Sequence, residues 1–445
     1  MGLNLNFNPD ETVLTLSVMS DIHANGCWGL EGSEKTIRNA LKYANEIAPN
    51  KIDAFLFVGD FTDCMNSKAN VIMGHGWPTD YDEAKAYQSS MEFGILRRCF
   101  QEEIAEDAEI IYCLGNHDSI NRNNTERFIT EFASRDEVGD NKNFERMYRT
   151  DTDLDALHKG MRHCVYKDYH FLCVDMENDR TEMVEFLKKN LDEIVAVDPD
   201  RYIFILHHCK TPNMNYASNL WGNNPEIHEL LKNYPQAVLL TGHTHSPLQN
   251  ERSVMQRDYT SVECSSVSCI TESCGGHLQN VTHAMTYQAS QGLLIELDKT
   301  GNMRITRLDY YHNRIIKKPW LFKRPCGNKV QLRDFTEGRR FAFAPPEFPE
   351  NFGLQVSPAT NGTFIAFSQA NHDDMPYRYE IKIADYNGKT DVFYFSSLFC
   401  YYPSLDDMPR NLSATIDYDY SKIYSVTVTP QDAWFKSGKS ITRYF

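Results

Sequence analysis

The 445-residue chain lacks any apolar run approaching the ~20 residues of a membrane span, so an integral membrane protein is not expected. It lacks a C-x-x-C pair among its 12 cysteines, which argues against a redox motif or a paired zinc ribbon. Those cysteines are scattered singly, several of them inside apolar runs (Cys113, Cys164, Cys173), as suits reduced, buried thiols in a cytoplasmic protein better than a disulfide framework. Basic residues are outnumbered: 45 Lys and Arg face 61 Asp and Glu, a net charge of -16. Such a surface repels nucleic acid and anionic membrane, and broad binding of either is not expected. A small anionic substrate held by metal ions is still compatible with it. The first residues are largely polar, unlike a signal peptide, and the sixth position lacks the Ser or Thr that favours myristoylation.

What the chain does have is a set of apolar, β-favouring runs that end in metal-ligating side chains. The run Ile52 to Asp63, I-D-A-F-L-F-V-G-D-F-T-D, reads as a buried strand whose C-terminal end projects Asp60 after a turn at Gly59. Four more runs end alike: Val13 to Ser20 delivers Asp21 and His23; Glu109 to Leu114 delivers Asn116, His117 and Asp118; Tyr202 to Leu206 delivers His207 and His208; Ala237 to Thr241 delivers His243 and His245. One aspartate after a strand is more often a turn cap. Five strand ends supplying Asp, Asn and imidazole instead predict a metal site at the carboxyl edge of an α/β sheet.

In chain order, the first strand, a helix over Ser33 to Ile47 and the Asp60 strand form a β-α-β unit. A loop at Gly74 to Pro78 follows, where His75 and Trp77 are candidates for a substrate lid or, equally, a surface excursion with one packed Trp. Helices are expected at Tyr81 to Glu106 and Glu182 to Ile194. Asn250 to Gln288 is rich in Ser, Thr and Cys with little periodicity and reads as loops covering one face of the sheet. Gly292 to Leu297 and Met303 to Tyr310 alternate like a closing hairpin around Lys299-Thr300-Gly301. The predicted organisation is a domain over 1–316, a basic connector over 317–344, and an all-β sandwich over 345–445 built from short alternating runs separated by turns such as Asn387-Gly388. That module resembles a fibronectin type III fold, including Tyr424 in its penultimate strand. Tyr401, Tyr402 and Trp434 are read as core aromatics in preference to surface binding ones.

The ordered signature D21-x-H23, G59-D60-F-T-D63, G115-N116-H117-D118, H207 and G242-H243-T-H245 resembles that of the calcineurin-like metallophosphoesterases. The resemblance spans about Val13 to Tyr310 and implies an α/β fold, a four-layer αββα sandwich with two mixed sheets. It implies two divalent ions (Mn, Fe or Zn) bridged by Asp60, with Asp21, His23 and His245 on one and Asn116, His207 and His243 on the other. Alternation lets only one of the adjacent His207 and His208 face the metals, and His207 is preferred because it follows the strand directly and the resemblance places the ligand there. By the same resemblance a water or hydroxide shared by the metals is the nucleophile, His117 the general acid, Asp118 the group fixing its tautomer, and Asp63 a support for a histidine ligand. The chain lacks the Arg-Gly that protein Ser/Thr phosphatases carry after the second motif, and has Asp63 and His23 where purple acid phosphatases have tyrosine and glycine. The expected function is metal-dependent hydrolysis of a small phosphomonoester or phosphodiester. The alternatives are a scaffold that only binds, with the C-terminal module docking a protein or bracing the catalytic domain, and a nuclease, which the acidic balance disfavours.

Overall fold

The structure, a computed structural model, describes residues 7–24, 29–63, 81–118, 160–271, 281–282, 285–286, 288–327, 334–402 and 405–445. Two compact units divide the chain: one comprises Met1–Leu248, Ser253–Ile270 and Tyr287–Asp334, the other Gln249–Arg252, Thr271–Thr286 and Phe335–Phe445.

The first unit is built on two six-stranded mixed sheets. One is formed by β1 (Thr12–Met19), β2 (Ala54–Val58) and β3 (Glu109–Cys113), which are parallel, and by β10 (Gln291–Asp298), β11 (Met303–Asp309) and β12 (Arg314–Phe322), which continue it antiparallel from β1. The other holds β4 (Met161–Tyr166), β5 (Tyr169–Val174), β6 (Ile203–Leu206), β7 (Ala237–Thr241), β8 (Val254–Gln256) and β9 (Thr260–Glu263) in the order β4-β5-β6-β7-β9-β8. All five residues of β2 are buried, as a strand covered on both faces requires. Phe55 and Phe57 join the core formed with α1 (Gly29–Ile47) and α2 (Tyr81–Glu103), where Phe57 stacks on Phe100 with ring centroids 4.5 Å apart. Each aromatic so buried contributes roughly 1.5–3 kcal/mol. Ile37, Ala40, Leu41 and Ala44 place the apolar stripe of α1 in that core. Arg38 ties the polar side of the same helix to α2 through Glu102 and Glu103, and pairs with Glu34 one turn back.

On the second sheet packs α3 (Arg180–Val197), whose Asp179 cap accepts from the backbone N–H groups of Thr181 and Glu182. A short helix, α4 (Pro225–Leu231), follows β6. The hairpin expected around Lys299-Thr300-Gly301 is present, with Gly301 at φ +81°. The reading of Asn250 to Gln288 as loops needs correction: β8 and β9 lie within it, and β9 pairs parallel with β7, Leu240 opposite Val262. Strands of three and four residues carry too little alternation to register against their polar neighbours. His75 and Trp77 lie outside the described residues. Among the described residues no helix is long and apolar enough to cross a membrane, and the nine described cysteines are free, with Cys326 exposed and the rest buried.

The second unit is built mainly of antiparallel pairs, as the alternating runs predict. A three-stranded sheet contains β13 (Leu354–Ala359), β14 (Gly362–Ser368) and β17 (Asn411–Ile416). A second sheet contains β15 (Arg378–Asp385), β16 (Thr390–Ser396), β18 (Ile423–Gln431) and β19 (Ile441–Tyr444), and the short strand Val281–Thr282 adds to β16 in parallel. Ile365, Phe367, Tyr379, Ile381, Ile383, Val426 and Val428 are shared in one core. Trp434 lies under the guanidinium groups of Arg252 and Arg339, whereas Tyr424 is half exposed beside Tyr386 and Tyr444.

Candidate metal centre

The carboxyl ends of β1, β2, β3, β6 and β7 place the five motifs together. Backbone hydrogen bonds lace them: Asp21 N–H donates to the Gly59 carbonyl at 3.0 Å, His23 N–H to the Asp60 carbonyl at 2.9 Å, and Gly242 N–H to the His208 carbonyl at 3.0 Å. Close approach demands glycine at two of these turns. A Cβ on Gly242 would overlap Ser20 Oγ and Asp21 Oδ2, and one on Gly115 would overlap Asp60 Oδ1. Asp21, His23, Asp60, His243 and His245 all adopt φ between +43° and +72°. That region costs a non-glycine residue roughly 1–2 kcal/mol, and its concentration at one locus marks a site the rest of the fold over-determines.

Two clusters of ligating atoms result, and a third shares His23. Asp21, His23 and His245 bring one oxygen and two nitrogens within 4.8 Å of one another; Asp60, His208 and His243 do the same, as do His23, Asp63 and His117. In the first, Asp21 Oδ1 lies 3.0 Å from His245 Nε2 and 3.8 Å from His23 Nε2, and the two nitrogens are 3.2 Å apart. Two ligands about 2.1 Å from one tetrahedral ion are separated by ~3.4 Å, so these three atoms fit a single small cation. Asp60 stands between the clusters, its Oδ2 2.9 Å from His208 Nε2 and 3.5 Å from His23 Nε2, while its Oδ1 accepts the His117 N–H at 2.8 Å.

Backbone carbonyls fix the imidazoles. His245 Nδ1 faces the Cys269 carbonyl at 3.0 Å, His207 Nδ1 the Val174 carbonyl at 3.1 Å, His208 Nδ1 the Val58 carbonyl at 2.6 Å and His243 Nε2 the Trp221 carbonyl at 3.0 Å. Each ring thereby keeps a proton on one nitrogen and turns the other inward. Burial pushes His207 and His243 down to about 4, leaving them neutral near pH 7. Burial opposes the imidazolium of His208 as well, but the facing Asp60 and Asp21 carboxylates outweigh it and raise that group to about 9. Burial would likewise raise the Asp21 and Asp60 carboxyls, yet the histidines around them hold both well below the ordinary range.

The structure qualifies three assignments. The cluster with Asp60 and His243 contains His208, and His207 is not in it. His207 still turns a buried Nε2 with no hydrogen-bond partner, and Asn116 Oδ1 and His208 Nε2, the latter 2.9 Å from Asp60 Oδ2, are further such atoms. Buried polar atoms are normally satisfied, and inward atoms of this kind have the chemistry to meet a cation. Asp118 is not seen against the His117 ring: its carboxylate accepts from the backbone of Gly115 at 2.9 Å and of Thr62 at 3.1 Å, and burial, with Asp60 nearby, raises it to about 6. The carboxylate beside His117 Nδ1 is Asp63, at 3.4 Å, and it also lies 3.1 Å from His23 Nδ1. Asp118 is captured by the N–H of Gly115 in its own turn and by that of Thr62 beyond β2, which draw it away from the ring.

Sequence reasoning missed the rear wall of the site. Ser266 Oγ donates to the Asp21 carbonyl at 2.9 Å, Ser268 N–H to the same oxygen at 3.2 Å, and Cys269 holds His245. Nothing in their Ser- and Cys-rich stretch distinguished them, because their contribution is a turn and a carbonyl. Trp221 also had no motif around it.

The solved structure of "GAP50 the anchor in the inner membrane complex of Plasmodium" is similar to this chain at 11% sequence identity and a TM-score of 0.43, covering 73% of this chain and 91% of that one. No curated protein matches the sequence. The family model for "Calcineurin-like phosphoesterase" matches residues 14–247, more than half of the 445-residue chain. With the two mixed sheets and the converging carboxylates and imidazoles, that match places the chain in the calcineurin-like phosphoesterase family.

Proposed function

We propose that the first unit hydrolyses a small phosphoester with the help of two divalent metal ions. The observation that carries this reading is the triangle of Asp21 Oδ1, His23 Nε2 and His245 Nε2, whose edges of 3.0, 3.2 and 3.8 Å suit one ion. Asp60, placed toward both clusters, would be shared; Asn116, His207 and His243 would complete the second position, with His208 as the hydrogen-bonding neighbour of Asp60. Mn, Fe and Zn all accept such mixed oxygen and nitrogen sets. When bound, the pair supplies Lewis acidity toward the phosphoryl oxygens and lowers the pKa of water at the site.

The chain's own residues do the rest. His117 holds a proton for the leaving alkoxide, oriented by Asp63 at its Nδ1. Asp60 anchors that histidine's backbone, so the acid and the shared carboxylate move as one piece. Read as a fibronectin type III-like module, the C-terminal sheets fold as one unit with segments from earlier in the chain. Supporting this, they are completed from earlier in the chain: Gln249 donates to the Cys400 carbonyl at 2.9 Å, and Val281–Thr282 pairs with β16. Cutting the chain after about Arg340 removes these partners and is expected to abolish soluble expression.

The test is hydrolysis of an aryl phosphodiester and of its matching monoester with added manganese, using Asp60→Asn as the blank. Preference for the diester identifies a phosphodiesterase and preference for the monoester a phosphatase. Equal rates in wild type and Asp60→Asn overturn the proposal.

A further inference from the structure

Trp221 presents an aromatic face at the edge of the metal centre. Its carbonyl accepts from His243 Nε2 at 3.0 Å, and the indole and imidazole centroids lie 6.0 Å apart with planes at 78°. The residue is 45% exposed although tryptophan is one that folding normally covers. Its backbone sits at φ +54° and that of Gly222 at φ +101°. A Cβ on Gly222 would meet nothing within 4 Å beyond its chain neighbours, and Gly222 is itself exposed, so the turn carrying Trp221 faces open space. The loop around it is built and fastened. Asn213 and Asn219 bond side chain to side chain at 3.0 Å, the Asn215 amide bonds the carbonyls of Ser253 and Ser261, and Asn224 N–H bonds the Lys210 carbonyl at 2.9 Å. A fastened loop thus holds a large apolar ring in a strained conformation, open to solvent, against a histidine of the site.

Building on the phosphoester reading, we infer that Trp221 stacks on a flat aromatic ring in the leaving group, making an aryl or nucleoside phosphoester the favoured substrate class. The indole face binds any such ring through offset stacking, with no need for base-specific hydrogen bonds. The contact sets specificity and leaves the phosphoryl chemistry to the metal centre.

The test is steady-state kinetics of the full, manganese-loaded chain on three phosphoesters: p-nitrophenyl, nucleoside and glycerol. The Trp221→Ala variant is expected to raise KM about tenfold or more on whichever aromatic ester is favoured, with at least a tenfold larger loss of kcat/KM there than on the glycerol ester. Trp221→Phe should recover most of the loss, since it keeps an aromatic face. The aryl and nucleoside arms separate the two sources of the ring. Equal losses on all three esters would mean that Trp221 only shields the site, and no loss would mean that it is idle; either result overturns the inference while leaving the phosphoester reading intact. Should wild type turn over none of the three above the Asp60→Asn blank, the reaction reading fails on its own. Calorimetric titration of adenosine 5′-monophosphate into wild type and Trp221→Ala then decides. Affinity weakened about tenfold in the variant sustains the stacking role, whereas equal affinities, or no binding to wild type, overturn it.

Discussion

The Asp63 carboxylate lies 3.4 Å from Nδ1 of His117. It also reaches His23, and these two imidazoles outweigh its burial and hold it down to about 2, so it is ionised wherever the protein is folded near neutrality. In the proposed reaction, a fixed anion in that position orients one ring toward the leaving group and the other toward an ion. Asp63→Asn is therefore expected to lower kcat about 10–100-fold in the steady-state assay, the usual effect of losing an outer carboxylate partner. Asp118, which holds the Gly115 turn, should behave differently: Asp118→Ala leaves the Gly115 N–H and Thr62 N–H without their acceptor and should cost roughly 1–3 kcal/mol in chemical denaturation.

A buried ion pair supports both histidine loops. Lys210 pairs with Glu263, and both side chains are almost wholly inaccessible. Lys210 also donates to the Tyr216 carbonyl at 2.8 Å and reaches Ser246 Oγ at 3.4 Å, linking the chain after His208 to the chain after His245. Above pH 8, where Glu263 has released its proton, removing one partner strands the other charge in the interior, and that is where the pair is tested. Lys210→Met should destabilise the protein by about 3–5 kcal/mol, and Lys210→Met with Glu263→Leu should recover most of that loss in the same denaturation experiment. A double variant as unstable as the single one would show that the pair's hydrogen bonds, not its charges, hold the loops.

The same glutamate sets a pH dependence. Burial pushes the Glu263 carboxyl up to about 8, against the pull of Lys210, from the ordinary value of 4.5. Its folded form therefore holds a proton that the unfolded chain has released, and stability from this group is fully present below 4.5 and lost as pH rises through 8. Comparing denaturation midpoints at pH 5 and pH 8, wild type should weaken more across the interval than Glu263→Gln, which has no proton to lose. A steeper loss in the variant would sink the assignment.

Thiol reactivity offers a check on the packing. Burial raises Cys99, Cys113, Cys209 and Cys264, while Cys326 is the exposed member of the nine described. Of those nine, brief labelling of the native protein should modify Cys326 alone, and the remainder should react only in denaturant, as peptide mapping would show.

The strand ends were legible in the sequence because an apolar run followed by Gly, Asp or His is a local signal. Phe55 to Asp60 states its strand and its projecting acid in six residues, and five such runs suffice to place Asp21, His23, Asp60, Asn116, His207, His243 and His245 at the carboxyl ends of strands, which the fold draws from both sheets. The alternation of Tyr377 to Ile383 likewise declared an antiparallel module. Choices among neighbours belonged to the tertiary structure. Whether His207 or His208 faces Asp60, and whether Asp63 or Asp118 faces His117, depends on which side chain a carbonyl or N–H from a distant strand captures first, and periodicity carries no record of that competition. The same holds for Cys269 behind His245 and Trp221 beside His243, which act through backbone carbonyls that every residue possesses. Composition and local pattern determined which atoms were available to bind; the long-range hydrogen bonds of the folded chain decided which of them point inward.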